Sequence, residues 1–226
     1  MSGAVASSAA VLISGGGTNL QALIDAVHDG RLHLDLEVVV SNNAKAKGLL
    51  RAREAGIPTE CITAAASADR TDYRTDYDRA LLETLSRYRP GLVLLAGFMR
   101  ILTPAFVKHY EGRILNIHPS LLPRFPGLNT HQRALDAGDR WHGCTVHFVT
   151  EQLDGGPRII QGRVPVLAND TAGRLAERVL AVEHRIYPQA AALVASGRVQ
   201  YRGGSAWHDG QRLDEPLQQD GGGAAP

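Results

Sequence analysis

The sequence has little cysteine, no excess of charge of either sign and no long apolar run, and each shortage removes a class of protein. Cys61 and Cys144 are its two cysteines, far apart in the chain, and they fit neither a metal-ligand spacing nor a redox pair. They are expected as buried or half-buried thiols of a cytosolic protein. With 24 basic and 23 acidic residues the formal net charge is +1, and no basic stripe marks a nucleic-acid surface. No apolar stretch approaches the roughly 20 residues of a membrane span. The start of the chain is small and polar, without the basic region of a signal peptide. The nine histidines show no His-Glu-x-x-His pattern, and His142 and His147 stand five apart in a strand-like stretch, hence on opposite faces. The expectation is a cytoplasmic monomer or homodimer that needs no metal, no nucleic acid and no membrane, and acts on a small molecule met in a local pocket.

A chain of 226 residues is long enough to bury a sizeable core as one domain. Residues 1–8 are expected as a disordered N-terminal tail, 9–208 as the folded body and 209–226 as a flexible C-terminal tail. In the body, apolar runs at 9–13, 36–40, 58–63 and 92–96 predict strands. Helical spacing at 19–27, 45–55 and 69–88 alternates with them. The run at 92–96 has no polar side chain, as in the centre of a parallel sheet. Further on the pattern is richer in strands, at 113–117, 145–149 and 158–164. A last helix is predicted over 171–193, with Pro188 ending or kinking it. This rhythm implies an α/β fold: a Rossmann-like open twisted sheet, mostly parallel, with helices on both faces and a strand-richer C-terminal half. Ligands of such sheets sit beyond the carboxyl ends of the strands.

Between the first strand and the first helix stands Ser14-Gly15-Gly16-Gly17-Thr18-Asn19. Glycines there expose backbone N–H groups at a helix N-terminus, where the dipole favours an anion, and Thr18 and Asn19 add side-chain hydrogen bonds. Leu20 stands where a dinucleotide fingerprint wants its third glycine, and no Gly-Lys-Ser/Thr follows, so neither NAD nor ATP fits as well as a small phosphate monoester. A purely structural tight turn is the plain alternative. Asn116 and His118 alternate onto one face at the end of an apolar strand, where polar side chains make poor core. A structural histidine is an equal reading of His118 taken alone. Asp154 lies in Leu153-Asp154-Gly155-Gly156-Pro157, which is also an ordinary turn sequence.

Taken together, Gly97-Phe98-Met99-Arg100-Ile101-Leu102, Asn116-Ile117-His118-Pro119-Ser120-Leu121-Leu122-Pro123 and Asp154-Gly155-Gly156-Pro157 resemble the folate-dependent formyltransferases. The likeness runs from Val11 to about Trp207. Residues 12–21 and Glu183-His184-Arg185-Ile186-Tyr187-Pro188 resemble the branch that formylates glycinamide ribonucleotide in purine biosynthesis. The resemblance implies transfer of formyl from 10-formyltetrahydrofolate, the co-substrate, to the glycine amine of glycinamide ribonucleotide. It implies Asn116, His118 and Asp154 as catalytic residues: Asn116 and His118 donate to the oxyanion, and Asp154 favours the charged ring and organises a proton-relaying water. It places the substrate on Gly17, Thr18, Asn19 and Glu183. It places the folate against Arg74, Met99, Arg100, Ile101, Leu102 and Asn116, with the loop Thr150, Glu151, Gln152, Leu153 and Asp154 completing the pocket. The plain alternatives are a solvated Arg74, a core Met99 and an exposed helical Glu183. A formyltetrahydrofolate hydrolase or a methionyl-tRNA formyltransferase would keep the same three catalytic residues, but each is expected to carry a further domain. A silent phosphate- or folate-binding module is the rival outside enzymes.

Overall fold

The computed structural model describes residues 6–63 and 73–220. In chain order the elements are β1 (Ser8–Ile13), α1 (Thr18–His28), β2 (Asp35–Ser41), α2 (Lys47–Glu54), β3 (Thr59–Cys61), α3 (Tyr73–Tyr88), β4 (Leu92–Leu95), α4 (Pro104–His109) and β5 (Ile114–His118). There follow α5 (Thr130–Asp136), β6 (Trp141–Phe148), β7 (Arg158–Pro165), α6 (Ala172–Ala195), β8 (Val199–Arg202), β9 (Ser205–His208), β10 (Gln211–Arg212) and β11 (Leu217–Asp220). Eight strands form one sheet in the order β11-β7-β6-β5-β4-β1-β2-β3. The pairs from β3 across to β5 are parallel, β6 runs antiparallel to both β5 and β7, and β11 lies parallel to β7. β8, β9 and β10 make a separate antiparallel sheet. This is the Rossmann-like, mostly parallel sheet that the sequence implies, with its strand-rich C-terminal half.

Strand alternation divides the core into two layers. Val11, Ile13, Leu94, Leu115 and Ile117 pack against α1, α2 and α6 through residues such as Leu23, Leu49 and Ile186. Leu12, Val40, Val93, Leu95 and Ile114 pack against α3 and α4 through Leu81, Leu85 and Phe106. Each such fully buried side chain contributes roughly 1.5–3 kcal/mol. On β5, the period of two puts Asn116 and His118 on the Ile114 side. On β6, Cys144, Val146 and Phe148 face the first layer, so Thr145 and His147 face the same side as Asn116 and His118. Reversal of strand order about β1 opens the carboxyl ends of β1 and β4 to a ligand.

Several expectations are corrected. Residues 209–226, taken as a flexible tail, contain β10 and β11 up to Asp220; β11 closes the sheet edge on β7, with Leu217 packed against the core. Pro188 does not end α6, which runs on to Ala195. The buried Ile186, Tyr187, Ala190, Ala191 and Val194 hold both halves of the helix on the sheet, and Tyr187 Oη donates to Leu95 O at 2.9 Å and to Leu115 O at 3.3 Å. Helices α4 and α5 are additions, capped at Thr103 in the first case by a side chain that accepts from Phe106 N. Cys144 is buried as expected, but Cys61 is exposed at the end of the short edge strand β3.

Candidate active site

Behind β1 the chain turns through Ser14-Gly15-Gly16-Gly17 into α1. Gly17 caps the helix in the left-handed conformation, φ 69°. A Cβ there would lie 2.5 Å from Gly48 Cα, and Gly48 N–H donates to Gly15 O at 3.1 Å. Only glycine at 17 therefore lets α2 pack against the loop. Gly15 and Gly16 are exposed, so the loop faces solvent at the N-terminus of an 11-residue helix. Ser14 ties this loop to the next strand end: its N–H donates to Gly97 O at 3.1 Å, and its hydroxyl accepts from Met99 N–H at 2.8 Å.

Asn19 points inward from the first turn of α1. Its Nδ2 donates to Glu183 Oε2 at 2.6 Å, and its Oδ1 is buried without a hydrogen-bond partner among the described residues. Glu183 is only 7% exposed, so it is no ordinary surface glutamate of a helix. Burial raises its pKa, with the Asn19 hydrogen bond opposing. The pair leaves one acceptor, Asn19 Oδ1, with hydrogen-bonding capacity unused among the described residues.

The second polar cluster gathers at the ends of β5 and β6. His118 Nδ1 stands 3.5 Å from Asp154 Oδ2, and both side chains are less than a tenth exposed. On the far edge of the ring, His118 Nε2–H donates to Phe125 O at 2.9 Å. Asp154 is held in the left-handed region, φ 50°, and its Oδ2 also accepts from Gly127 N–H at 2.8 Å. Asp154 is therefore bonded across the site rather than into a local turn.

His147 joins the cluster, a residue that the sequence reading set aside. It pairs across the strands with Asn116. Its Nδ1–H donates to Phe148 O at 2.9 Å, which leaves Nε2 to accept from Asn116 Nδ2–H at 3.2 Å. Burial pushes its pKa down to about 4, against the opposing pull of the Phe148 carbonyl and Asp154. The neutral ring fixes Asn116 with a second amide hydrogen free to point elsewhere. Asp154 Oδ1 faces His147 Nε2 at 3.8 Å, beyond hydrogen-bond length. The polar residue on an apolar strand was visible in the sequence, but the β5–β6 register that brings it to Asn116 was not.

A cavity beside this cluster is lined by Leu95, Phe98, Arg100, Ile101, Leu102, Val107, Asn116, His147 and the segment from Val149 to Asp154. It takes in Arg100, Ile101, Leu102, Thr150, Glu151, Gln152 and Leu153 of the expected folate wall. Met99 is not part of this lining: it is 69% exposed, and its backbone N–H is the donor to Ser14. Arg74 is exposed in the first turn of α3 and also lies outside the lining. Arg100 stacks its guanidinium 3.9 Å from the centre of the Tyr77 ring. Apolar and polar residues share this lining about equally, which offers both surface for a flat ring and hydrogen-bonding groups for its edge. Among the described residues no group of three or more His, Cys, Asp or Glu is placed to hold a metal ion, and no helix is long and apolar enough to cross a membrane.

The sequence profile of a family described as formyl transferase matches residues 8–191. The phosphoribosylglycinamide formyltransferase of Escherichia coli strain K12 is 53% identical over 203 residues, 90% of this chain and 94% of its own. A solved phosphoribosylglycinamide formyltransferase from Coxiella burnetii superposes with a TM-score of 0.87 at 47% identity, covering 93% of this chain and 98% of its own. A formyltetrahydrofolate deformylase from Burkholderia mallei superposes with a TM-score of 0.79 at 26% identity, covering 89% of this chain but 69% of its own.

Proposed function

The chain belongs to the formyl transferase family, and we propose that it carries a formyl group from 10-formyltetrahydrofolate to the glycine amine of glycinamide ribonucleotide, a step of purine biosynthesis. The observation that carries this reading is the meeting of two built sites at one sheet end. An anion-type glycine loop follows β1, an Asn–His–Asp cluster closes β5, and Ser14 joins the loop to the wall of the cavity beside that cluster.

The ribonucleotide phosphate docks on the N–H groups of Gly17, Thr18 and Asn19, with the α1 dipole favouring its charge. Asn19 Oδ1 and the Glu183 carboxylate take the ribose hydroxyls, which gives Asn19 Oδ1 the partner it lacks among the described residues. Phe98, Ile101, Leu102, Val107 and Leu153 enclose the pterin, with backbone groups of Arg100, Thr150, Glu151 and Gln152 for its polar edge. The folate supplies the formyl carbon, and the protein supplies placement and charge.

The glycine amine attacks the formyl carbon, and the C=O electron pair moves onto oxygen. Asn116, held by neutral His147, offers its second amide hydrogen to that oxygen. The His118 ring, set between Phe125 O and Asp154, stands beside that oxygen as its second polar partner. The C–N bond to the folate then breaks, and the proton from the attacking amine passes to the leaving nitrogen. Asp154 Oδ1, 3.8 Å from His147 Nε2, holds the water that relays it. The test is turnover of purified protein with 10-formyltetrahydrofolate and glycinamide ribonucleotide, followed by folate absorbance, with methionyl-tRNA and no acceptor as parallel arms. Turnover confined to the ribonucleotide is expected. Hydrolysis without acceptor, or formylation of the tRNA, would replace this reading with the corresponding relative.

A further inference from the structure

Between β5 and α5 the chain makes a turn that the residue types do not hold by themselves. Phe125 and Asn129 sit in the left-handed region, φ 53° and 57°, with Gly127 at 78° between them. Successive backbone groups of this turn point alternately into the site and away from it. Phe125 O takes the hydrogen of His118 Nε2, and Gly127 N–H bonds Asp154 Oδ2. Between and beyond them, Pro126 O and Leu128 O turn outward to one side chain, Arg133 in the middle of α5. Arg133 Nη1 donates to Pro126 O at 2.6 Å and to Leu128 O at 3.3 Å, and its guanidinium lies 5.3 Å from the centre of the Phe125 ring. Its own backbone N–H closes the turn on Asn129 O at 3.0 Å.

We propose that Arg133 is a positioning residue for the formyl transfer: by holding the two outward carbonyls it keeps Phe125 O on His118 and Gly127 N–H on Asp154. One nitrogen, Nη1, serves both carbonyls while the guanidinium plane lies over the Phe125 ring; an ammonium could meet the carbonyls but lacks the plane that packs on the ring, and an apolar chain does neither. Left-handed Phe and Asn are costly local states, so a turn released from the guanidinium relaxes toward ordinary φ and swings both site contacts away. Arg124 also stacks on Phe125, at 5.0 Å, but its guanidinium pairs with Asp139 rather than with the turn. It therefore serves as the internal control.

This inference rests on the proposed reaction, and its test separates the two. Arg133→Met keeps the aliphatic stem and removes the guanidinium. The expected result is a drop in kcat of about tenfold, the loss of a charge-assisted hydrogen bond, with KM for both substrates within about twofold. Arg133→Lys should fall between, added ethylguanidinium should restore part of the Met variant's rate, and Arg124→Met should match the parent. Independently of turnover, amide exchange at Gly127 should quicken in Arg133→Met and not in Arg124→Met. Unchanged Gly127 exchange overturns the clamp whatever the kinetics show, and so does a loss that falls on KM or resists ethylguanidinium. If the parent enzyme itself does not formylate the ribonucleotide, the functional reading fails while the exchange measurement still decides whether Arg133 holds the turn.

Discussion

The glycine loop after β1 and the polar cluster at the ends of β5 and β6 both set polar groups at the carboxyl edge of the sheet, yet they are built in opposite ways. The loop is contiguous, works through backbone N–H groups and depends on what is missing, a Cβ at Gly17 against Gly48. The cluster draws Asn116, His118, His147 and Asp154 from three segments and works through side chains, each oriented by another group: His147 for Asn116, Phe125 O for His118, Gly127 N–H for Asp154. Substitutions in the loop are therefore expected to act on binding and packing, and those in the cluster on the chemical step.

The sharpest way to break that contrast is His118→Ala, which should lower kcat by about 10²–10⁴ and leave the KM for the ribonucleotide near its parent value. An equal loss of binding would make His118 a structural residue. Asn116→Ala comes next, with a loss of about 10²–10³ in kcat for one oxyanion donor, read from steady-state kinetics at saturating substrate. Gly17→Ala should reverse the pattern. Its added carbon meets the backbone of Gly48, so a destabilisation of about 1–3 kcal/mol in denaturant unfolding should accompany a raised KM for the ribonucleotide.

Two smaller effects follow from titration. His142 and His147 both have pKa values pushed down to about 4 by burial, below the ordinary histidine value. The unfolded chain thus takes up protons first as pH falls. The stability these neutral rings give is full above about 6.5 and drains away toward 4, so the melting temperature should drop through that window more steeply than in a His142→Gln variant. Glu183 has the opposite sign: burial raises its pKa, so its stabilisation is full at low pH and lost as pH rises through the folded value. Glu183→Gln should then raise the melting temperature at pH 7.5 by a few degrees, with the gain shrinking under acid, while ribonucleotide KM rises. A melting temperature lowered at pH 7.5 would show that the Asn19 bond outweighs desolvation.

The first half of the fold was legible because each of its elements carries its own signal, an unbroken apolar run for residues 9–13 and 92–96 and a 3.6 period for 19–27. Helices α4 and α5 span only six and seven residues, too few turns to show an apolar stripe. Strand β11 was lost because Leu217-Gln218-Gln219-Asp220 is polar; its partner β7, some fifty residues earlier, makes it a strand. In the site, Asn116, His118 and Asp154 could be named from motifs, whereas the bonds that orient them join distant segments. Asn19 and Glu183 stand 164 residues apart, and Arg133 acts on a turn whose dihedral angles no side-chain pattern announces.

The most direct measurement uses 10-formyltetrahydrofolate labelled with carbon-13 in the formyl group, incubated with the protein and glycinamide ribonucleotide and followed by NMR. The label is expected to move into the N-formyl amide of the ribonucleotide, at a rate that His118→Ala removes. Label released as free formate, at the same rate with or without the ribonucleotide, would contradict it.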